Sequence, residues 1–413
     1  MRLLFVADGR SPTALNWIRY FIEQGHEVHL ASTYACQPQL AFASFTFIPV
    51  AFSKAKEAAE KSAGRGGFAR RLLWSGTAIG LRTAVRQWLG PFTLPEASKT
   101  LAALIRAVQP DLVHAMRIPY EGMLAASALR QLGLQKESRL PPLVVSVWGN
   151  DFTLHARSTP WLGALTCQTL RAASALHTDC QRDQRLARAW GFPSGKPAIV
   201  LPGGGGIQME LFNPPEQEAP TLSVINPRGL RAYVRNDTFF KSIPLILSAQ
   251  PSARFFCPTM AGEPEALRWV DRLGISASVE LLPHQTRPKM AALFRGCQVA
   301  VSPSTHDGTP NTLLEAMACG CFPVAGDIES LREWITPSAN GLLVDPASPT
   351  ALAQAVLEAF DHPDLRRQAA VQNRKIIAER ADYRRVMPQA ENFYIHIPLP
   401  PRGSAVQSDR GQG

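Results

Sequence analysis

Two carboxylates eight positions apart, Asp307 and Glu315, are the residues of this sequence best suited to chemistry. Between them lies a Gly-Thr-Pro-Asn turn that leads into an apolar helix. The start of a helix presents unpaired backbone N–H groups and a positive dipole end, and both favour a phosphate group. A carboxylate within the helix can accept hydrogen bonds from ribose hydroxyls, and one before the turn can reach a sugar. The pattern therefore indicates a nucleotide-sugar site.

The chain that must position these groups has 413 residues, too many for one ordinary core, so we expect two domains of roughly 200 residues each. Its composition, 46% hydrophobic and 18% charged, is typical of a globular protein without a transmembrane helix. The apolar run after Met1 ends at Asp8-Gly9, which favours a buried first strand over a signal peptide. Seven cysteines without a C-x-x-C pair are typical of reduced cytosolic thiols. We therefore expect a cytoplasmic protein with no cofactor and no metal.

The excess of positive over negative charge lies in the first half of the chain. Residues 1–200 carry 23 Lys and Arg against 12 Asp and Glu, whereas residues 201–413 carry 20 against 21. A basic surface on one side of a protein attracts polyanions, anionic lipid headgroups or acidic substrates.

Strand and helix patterns alternate along the chain, which predicts two α/β domains with parallel sheets. We expect a Rossmann-like domain over residues 1–203, a hinge over 204–220 and a second Rossmann-like domain over 221–380. The strongest linker signal is the glycine run Gly203–Gly206 with the Pro- and Glu-rich stretch after it. A last helix is expected before residue 397, interrupted at Pro388. Residues 398–413 are rich in Pro, Gly, Ser and Gln, which predicts disorder.

Ligands bind in the loops that follow the carboxyl ends of parallel strands, so polar residues there are candidates. No G-x-G-x-x-G occurs, which argues against a dinucleotide-dependent oxidoreductase. Gly9 permits close approach of the backbone to a ligand, or simply a tight strand–helix turn. His114 is a candidate sugar ligand or a structural histidine, and Asp151 a catalytic group or a helix cap. The candidates in the first half are Gly9, His114, Arg117, Glu121, Asn150 and Asp151.

Four basic residues follow the first strand of the second half: Arg228, Arg231, Arg235 and Lys241. Cleavage of a sugar–diphosphate bond builds negative charge on the leaving group, which fixed Arg and Lys side chains can stabilise. Arg228 lies directly after the strand and is the first candidate, with Lys241 second. The alternative is that Arg231 and Arg235 are solvated charges at a helix entry.

Residues 301–325 resemble the signature region of family-4 retaining glycosyltransferases, E-x7-E followed by Ala-Met-Ala-x-Gly-x-Pro-Val. This chain has Asp307-x7-Glu315 and then Ala316-Met317-Ala318-Cys319-Gly320-Cys321-Phe322-Pro323-Val324. The Gly-Asn-Asp loop near residue 150, the basic segment 228–241 and the stretch 340–345 extend the resemblance over most of the chain. It implies the GT-B fold, two Rossmann-like domains facing across a cleft, with a last helix (381–397) crossing back to the first domain.

The resemblance also implies roles for individual residues. Glu315 would bind the ribose, and Asp307 would contact hydroxyls of the donor sugar. The diphosphate would be held by Arg228 and Lys241 and by the backbone around Gly308, Thr309, Pro310, Asn311 and Thr312. His114, Arg117, Glu121 and Asn150 are the expected acceptor ligands, and Asp151, Asp307, Arg228 and Lys241 the expected catalytic residues. Gly9, Arg231 and Arg235 complete the expected donor site.

Three departures from the family pattern bear on these roles. The first acidic position is Asp307 rather than Glu, which shortens its reach to a sugar. The spacing from Arg to Lys is stretched, so Arg228, Arg231 and Arg235 all stay candidates for the diphosphate ligand. Trp148 stands where many relatives have His. Retaining enzymes of this kind are thought to use a front-face substitution in which the leaving phosphate helps to deprotonate the acceptor, a step that needs no metal.

The segment from Lys61 to Leu89 mixes basic residues with Trp74 and Trp88, and Leu81, Val85 and Trp88 share a helical face. A basic amphipathic helix with tryptophan can lie on the inner, anionic face of a membrane. The same spacing fits a helix packed on its own domain.

The sequence thus favours a glycosyltransferase of polysaccharide or glycoconjugate biosynthesis. Its partners would be a nucleoside-diphosphate sugar and a saccharide or lipid-linked acceptor. A non-catalytic GT-B scaffold protein and a sugar-nucleotide epimerase are the alternatives, and no motif supports nucleic-acid binding.

Overall fold

The computed structural model describes residues 1–53, 86–135, 140–217 and 221–398. Within them the chain forms two α/β units, each built on a fully parallel sheet. The predicted fold class, two Rossmann-like domains facing across a cleft, is confirmed. No helix in the described ranges is long and apolar enough to cross a membrane.

The first sheet has seven strands in the order β3-β2-β1-β4-β5-β6-β7. The central strands are apolar on both faces because helices cover each side of the sheet. The strands are Arg2–Ala7 (β1), Glu27–Ser32 (β2), Ser44–Phe47 (β3), Leu112–Ala115 (β4), Leu143–Val147 (β5), Ala175–Thr178 (β6) and Ala198–Val200 (β7). The helices are Pro12–Glu23 (α1), Leu94–Val108 (α2), Met123–Leu134 (α3), Pro160–Ala172 (α4) and Gln181–Ala189 (α5).

The second sheet has six strands in the order β10-β9-β8-β11-β12-β13. They are Ser223–Ile225 (β8), Arg254–Pro258 (β9), Val279–Leu282 (β10), Val299–Ser302 (β11), Phe322–Gly326 (β12) and Leu342–Val344 (β13). The helices are Asn236–Ala249 (α6), Pro264–Leu273 (α7), Arg287–Arg295 (α8), Asn311–Ala318 (α9), Pro349–Asp361 (α10), Pro363–Arg380 (α11) and Tyr383–Ile395 (α12).

In each sheet the strand order reverses beside the first strand of the unit. β1 pairs with both β2 and β4, and β8 pairs with both β9 and β11. A crevice opens at the carboxyl ends of the strands at such a point, and ligands of doubly wound sheets bind there. The loops after β1, β4, β8 and β11 are therefore placed to form a site.

The glycine run lies between the two units. Gly204 has a φ of 73°, and a Cβ added there would lie 3.1 Å from the Thr13 side chain and 3.2 Å from the Asn311 amide nitrogen. Only glycine adopts this conformation readily in so little space. The loop therefore brings the start of α1 and the start of α9 together at the base of the cleft.

Helix α12 returns to the first unit and packs on α1. The Trp17 indole donates to the Tyr394 hydroxyl at 3.0 Å, and the Tyr20 hydroxyl donates to Glu391 at 2.9 Å. The expected interruption at Pro388 was wrong, because the helix runs through it. Packing of the buried face of α12 outweighs the backbone hydrogen bond that a proline removes.

Candidate functional site

Arg228 and Asp307 meet because the adjacent strands β8 and β11 end side by side. An Arg228 Nη2 atom lies 2.5 Å from Asp307 Oδ2, and Nη1 donates to the Thr312 hydroxyl at 3.3 Å. Only 9% of the Arg228 side chain and 13% of the Asp307 side chain are exposed. This shielded ion pair stands at the start of α9, where an incoming anion would meet both Arg228 and the helix dipole.

The other two candidate arginines have different surroundings. Arg231 donates to the Arg228 carbonyl at 3.0 Å and is largely solvated. Arg235 forms two hydrogen bonds of 2.8 Å with the Asp237 carboxylate, which raises the pKa of the arginine and balances its positive charge. Arg228 is thus the arginine of the three that faces Asp307.

Lys241 points away from this pair. Its ammonium lies 3.7 Å from Asp237 and 5.5 Å from the centre of the Trp269 ring, on the side of α6 that packs against α7. This placement does not support the expected contact of Lys241 with the diphosphate. The position of Lys241 one helical turn beyond Asp237 explains why it joins that carboxylate instead.

Glu315 lies in the second turn of α9 and is mostly buried. Burial, only partly offset by Arg287 at 3.9 Å, raises the pKa of Glu315 to about 7. Arg287 also donates to the Asn16 side chain at 3.2 Å, so it links the carboxylate to the first unit. Near pH 7 about half of the molecules therefore carry an ionised Glu315. The ionised carboxylate, shielded from water, is a strong hydrogen-bond acceptor for hydroxyl groups.

The backbone N–H groups of residues 308–312, which were expected to bind the diphosphate, are partly engaged in contacts within the protein. The Thr309 N–H donates to Asp179 Oδ2 at 3.3 Å, and Pro310 has no N–H to offer, which corrects its expected role as a backbone donor. The N–H groups of Asn311 and Thr312, in the first turn of α9, are the ones suited to hold a phosphate. The buried Asn311 amide oxygen has no hydrogen-bond partner among the described residues.

The two units touch directly at this point. A Cβ on Gly149 would overlap the Gly308 backbone, and one on Gly308 would overlap the Asp179 carboxylate. The Thr309 hydroxyl donates to the Asp179 carbonyl at 2.5 Å, and Arg182 donates to the Gly149 carbonyl at 2.7 Å. The cleft is therefore closed beside Asp307, and a ligand between the loops requires them to separate.

Asp179 is a buried carboxylate that sequence reasoning missed. It follows β6 directly, so the same rule that selected the loops after the other strands would have found it. Burial and the charge of Asp183 raise the pKa of Asp179 well above its usual value. Asp179, Cys180 and Asp183 have ligand-type atoms within 4.8 Å of one another, but Arg182 already pairs with Asp183 at 2.8 Å. We assign no metal to them.

On the first unit, Asp151 supports the loop rather than facing the cleft. Arg117 donates to Asp151 Oδ1 at 2.8 Å, and the N–H groups of Trp148 and Ile118 donate to Oδ2 at 3.1 and 3.4 Å. With both oxygens occupied and the residue 1% exposed, the expected catalytic role of Asp151 is not supported. The carboxylate instead orients Arg117, which also donates to the Asn150 side chain at 2.7 Å.

His114 is in the core and not at the cleft. Its Nδ1 is hydrogen-bonded to the Tyr394 hydroxyl, and its Nε2 lies 2.7 Å from the Ser146 hydroxyl. Burial and the nearby His177 hold the pKa of His114 well below its usual value. The structural interpretation of this histidine therefore replaces the expected sugar contact.

Gly9 and Glu121 are also held by protein contacts. The Gly9 N–H donates to the Ser32 hydroxyl at 3.1 Å, and a Cβ on Gly9 would lie 2.6 Å from the Cys36 sulfur. The Thr33 hydroxyl donates to Glu121 at 2.8 Å. Tight packing of the turn against β2 explains the glycine without a ligand.

The proposed amphipathic segment falls mostly on residues 54–85, outside the described part of the chain. Of its members, Arg86, Trp88 and Leu89 are described, and Trp88 is 58% exposed.

Two family models match the chain, one in each unit. Residues 8–203 match a glycosyl transferase 4-like domain, and residues 230–362 match glycosyl transferases group 1. The matched ranges contain most strands of the two sheets, and the second range includes Asp307 and Glu315 but begins two residues after Arg228.

Similar proteins include D-inositol 3-phosphate glycosyltransferases of Mycolicibacterium paratuberculosis and of Mycobacterium tuberculosis (strain F11). Each is 30% identical over 150 residues, which is 34% of this chain and 34% and 31% of the relatives. The chain thus aligns with about a third of the length of these relatives.

Solved structures resemble the chain over nearly its whole length. Sucrose-phosphate synthase of Thermosynechococcus elongatus gives a TM-score of 0.69 at 14% identity, covering 96% of this chain and 98% of that one. HepE of Anabaena, in complex with UDP-glucose, gives 0.64 at 17% identity, covering 95% and 99%. TarM gives 0.67 at 9% identity, covering 95% and 99%. At these identities the likeness establishes the fold alone.

Proposed function

Because this chain belongs to the glycosyltransferases of the GT-B fold, we propose that it transfers a hexosyl group from a nucleoside-diphosphate sugar with retention of anomeric configuration. The acceptor would be a saccharide or a lipid-linked saccharide. The observation that carries the proposal is the shielded Arg228–Asp307 pair at the start of α9, with Glu315 one turn further along the same helix.

Each of these groups suits one part of the donor. The ribose hydroxyls would donate to Glu315, and the diphosphate would lie against Arg228 and the N–H groups of Asn311 and Thr312. Asp307 would then accept hydrogen bonds from the sugar. The Arg228 guanidinium contacts both Asp307 and Thr312. A small rotation of this group would transfer its hydrogen bond from the carboxylate to a phosphate at the start of α9.

In the reaction, the bond between the anomeric carbon and the diphosphate oxygen breaks and the acceptor oxygen bonds to that carbon. The acceptor proton passes to the leaving diphosphate, and Arg228 stabilises the charge that develops on it. No step in this scheme calls on a metal ion. Separation of Gly149 from Gly308 would admit the donor, and closure would exclude water that could hydrolyse it.

A thermal-shift panel of UDP-, GDP- and ADP-sugars tests the proposal, and UDP-glucose comes first because HepE was solved with it. We expect one nucleotide class to raise the melting temperature. The shift should vanish in Glu315→Ala and persist in Glu265→Ala, which alters an exposed glutamate of α7. Slow hydrolysis of the donor that bound should then be measurable. Absence of any shift, or a shift that Glu315→Ala leaves intact, would refute the assignment of the donor site.

We further propose contact with an anionic membrane through the first unit. Phe92 is 68% exposed and stacks on Trp161, itself 53% exposed, with ring centres 6.1 Å apart. Trp88 and Leu89 are exposed nearby in the chain. Co-sedimentation with vesicles containing anionic lipid should fall as salt rises and weaken in Phe92→Ser/Trp161→Ser. Failure to bind at low salt would exclude it.

A further inference from the structure

The loops after β1, β2 and β4, together with Arg86, bring a cluster of basic and aromatic side chains together on the first unit. We call it the arginine pocket and define it by Arg10, Arg86, Arg117, Tyr34 and Tyr120. Arg10 lies 3.8 Å above the Tyr34 ring, and Arg86 lies 5.5 Å from the same ring and 5.2 Å from the Tyr120 ring. The three guanidinium groups come from separate parts of the chain, so only the fold brings them together.

Two of the three arginines in this pocket, Arg10 and Arg117, pair with a carboxylate. The Asp8 carboxylate accepts two hydrogen bonds of 3.0 Å from Arg10, and Asp151 pairs with Arg117 at 2.8 Å. Arg86 has no such carboxylate among the described residues, and its Nε atom is buried without a hydrogen-bond partner. A buried donor on a charged group is costly to leave unpaired, so a bound anion would stabilise it.

Among the described residues, the further carboxylate near Arg86 belongs to Glu121, and it does not pair with Arg86. Glu121 is 6% exposed and accepts a hydrogen bond from the Thr33 hydroxyl. Burial raises the pKa of Glu121, which reduces the negative charge it offers. The positive charge of Arg86 affects the His155 side chain. Burial lowers the pKa of His155 to about 3, and the charges of Arg117 and Arg86 contribute to this shift.

The pocket adjoins the candidate donor site. Arg117 is bonded to Asn150, the neighbour of Gly149, and Gly149 touches Gly308 beside Asp307. On the second unit, which forms the other side of the cleft, Arg228 packs near the Tyr233 ring at 5.8 Å. A molecule whose anionic group lay on Arg86 could therefore extend a hydroxyl toward Asp307.

We propose that the arginine pocket binds a phosphate group of the acceptor, with Arg86 as its main ligand and the Tyr34 and Tyr120 rings beside it. The acceptor is then a phosphoester, either a soluble polyol or sugar phosphate or a saccharide attached to a lipid phosphate. This inference rests on the proposed function, and it narrows the acceptor class of that same site.

The test is calorimetric titration of the full chain with UDP, or the nucleoside diphosphate that binds best, present at saturation to block Arg228. The soluble probes are inorganic phosphate, inositol phosphate and inositol. The lipid probes are neutral vesicles with and without a polyprenyl phosphate. We expect inositol phosphate or the polyprenyl phosphate vesicles to bind, and inositol and plain vesicles not to bind. Which of the two binds identifies the source of the phosphate.

Arg86→Gln should weaken that binding about tenfold or more, because one charge-assisted contact is lost. Arg130→Gln, a change of an exposed arginine on α3, should leave it unchanged. The inference is overturned if no phosphate compound binds, if inositol binds as tightly as its phosphate, or if Arg86→Gln binds like the parent. Nucleotide binding is measured in the same samples. If nucleotide binds but no phosphate compound does, the arginine pocket is refuted while the proposed donor site stands.

Discussion

Replacement of Glu315 by glutamine should change how stability depends on pH. Burial raises the pKa of Glu315 from 4.5 in the unfolded chain to about 7. Because the folded state holds the proton more tightly, the resulting stability is fully present below pH about 4.5 and is lost as the pH rises through about 7. The two titration curves together give a loss of about 2.5 kcal/mol between pH about 5 and about 8. Glutamine has no charge to desolvate and should avoid that loss.

Urea unfolding of the unliganded protein at these two pH values measures the effect. The stability difference between them should be about 2.5 kcal/mol smaller in Glu315→Gln than in the parent. Subtraction of one protein from the other removes the contributions of other titrating groups. Glu265→Gln, on the solvated face of α7, should show the parental difference. Equal pH dependence in Glu315→Gln and the parent would refute the account of this carboxylate as a desolvated group.

The same carboxylate predicts how donor affinity depends on pH. Ribose hydroxyls donate to the ionised form, so affinity should rise with pH up to about 7 and then level off. Glu315→Gln should bind the donor weakly with little pH dependence. A residue that destabilises the empty protein at the pH where it binds ligand is typical of functional sites. Parental affinity that is flat between pH about 5 and about 8 would contradict a ribose contact at Glu315.

Three further changes test other parts of the structure. Gly149→Ala should force the two loops apart and lower transfer activity at least tenfold, whereas Gly195→Ala, which has open space around its Cβ, should not; small-angle scattering would show the opening. Tyr394→Phe should cost about 1–3 kcal/mol in urea unfolding by leaving buried polar partners unpaired, and no loss would contradict the network. Arg228→Ala should abolish donor binding and Lys241→Ala should retain it, as thermal shift would show; equal losses would contradict the placement of Lys241.

The fold was predictable because the central strands are apolar runs bounded by turn residues. The predicted strand after Met1 and the structural strand Arg2–Ala7 coincide, and the apolar strand Val299–Ser302 leads into the signature loop. The short edge strand Ser44–Phe47 was missed because all four of its residues are half-buried, so it lacks the apolar run of a central strand. The path of α12 through Pro388 was missed because packing on α1 is not visible in a local pattern.

The site was predictable only in part, since position after a strand does not fix where a side chain points. Arg228 and Asp307 come from adjacent strands, so the rule brought them together correctly. The same rule selected His114, but this residue lies within β4. Its ring packs in the core and contacts Tyr394, which is 280 residues away in the sequence. Such distant partners, like Arg287 for Glu315, leave no trace in the spacing of a single sequence.

This arrangement gives a physical reason for an aspartate, rather than a glutamate, at position 307. Its short side chain keeps the carboxylate close to the loop, where Arg228 reaches it at 2.5 Å. The neighbouring Gly308 lies against Asp179, whose carboxylate would collide with any side chain there. Two carboxylates therefore approach one loop, and the charge of Asp307 contributes to the raised pKa of Asp179, after burial and Asp183. A diphosphate that draws Arg228 away would leave Asp307 without its cation, and sugar hydroxyls would then be its natural partners. Donor binding would in this way exchange one set of charge-assisted hydrogen bonds for another, with Arg228 serving both.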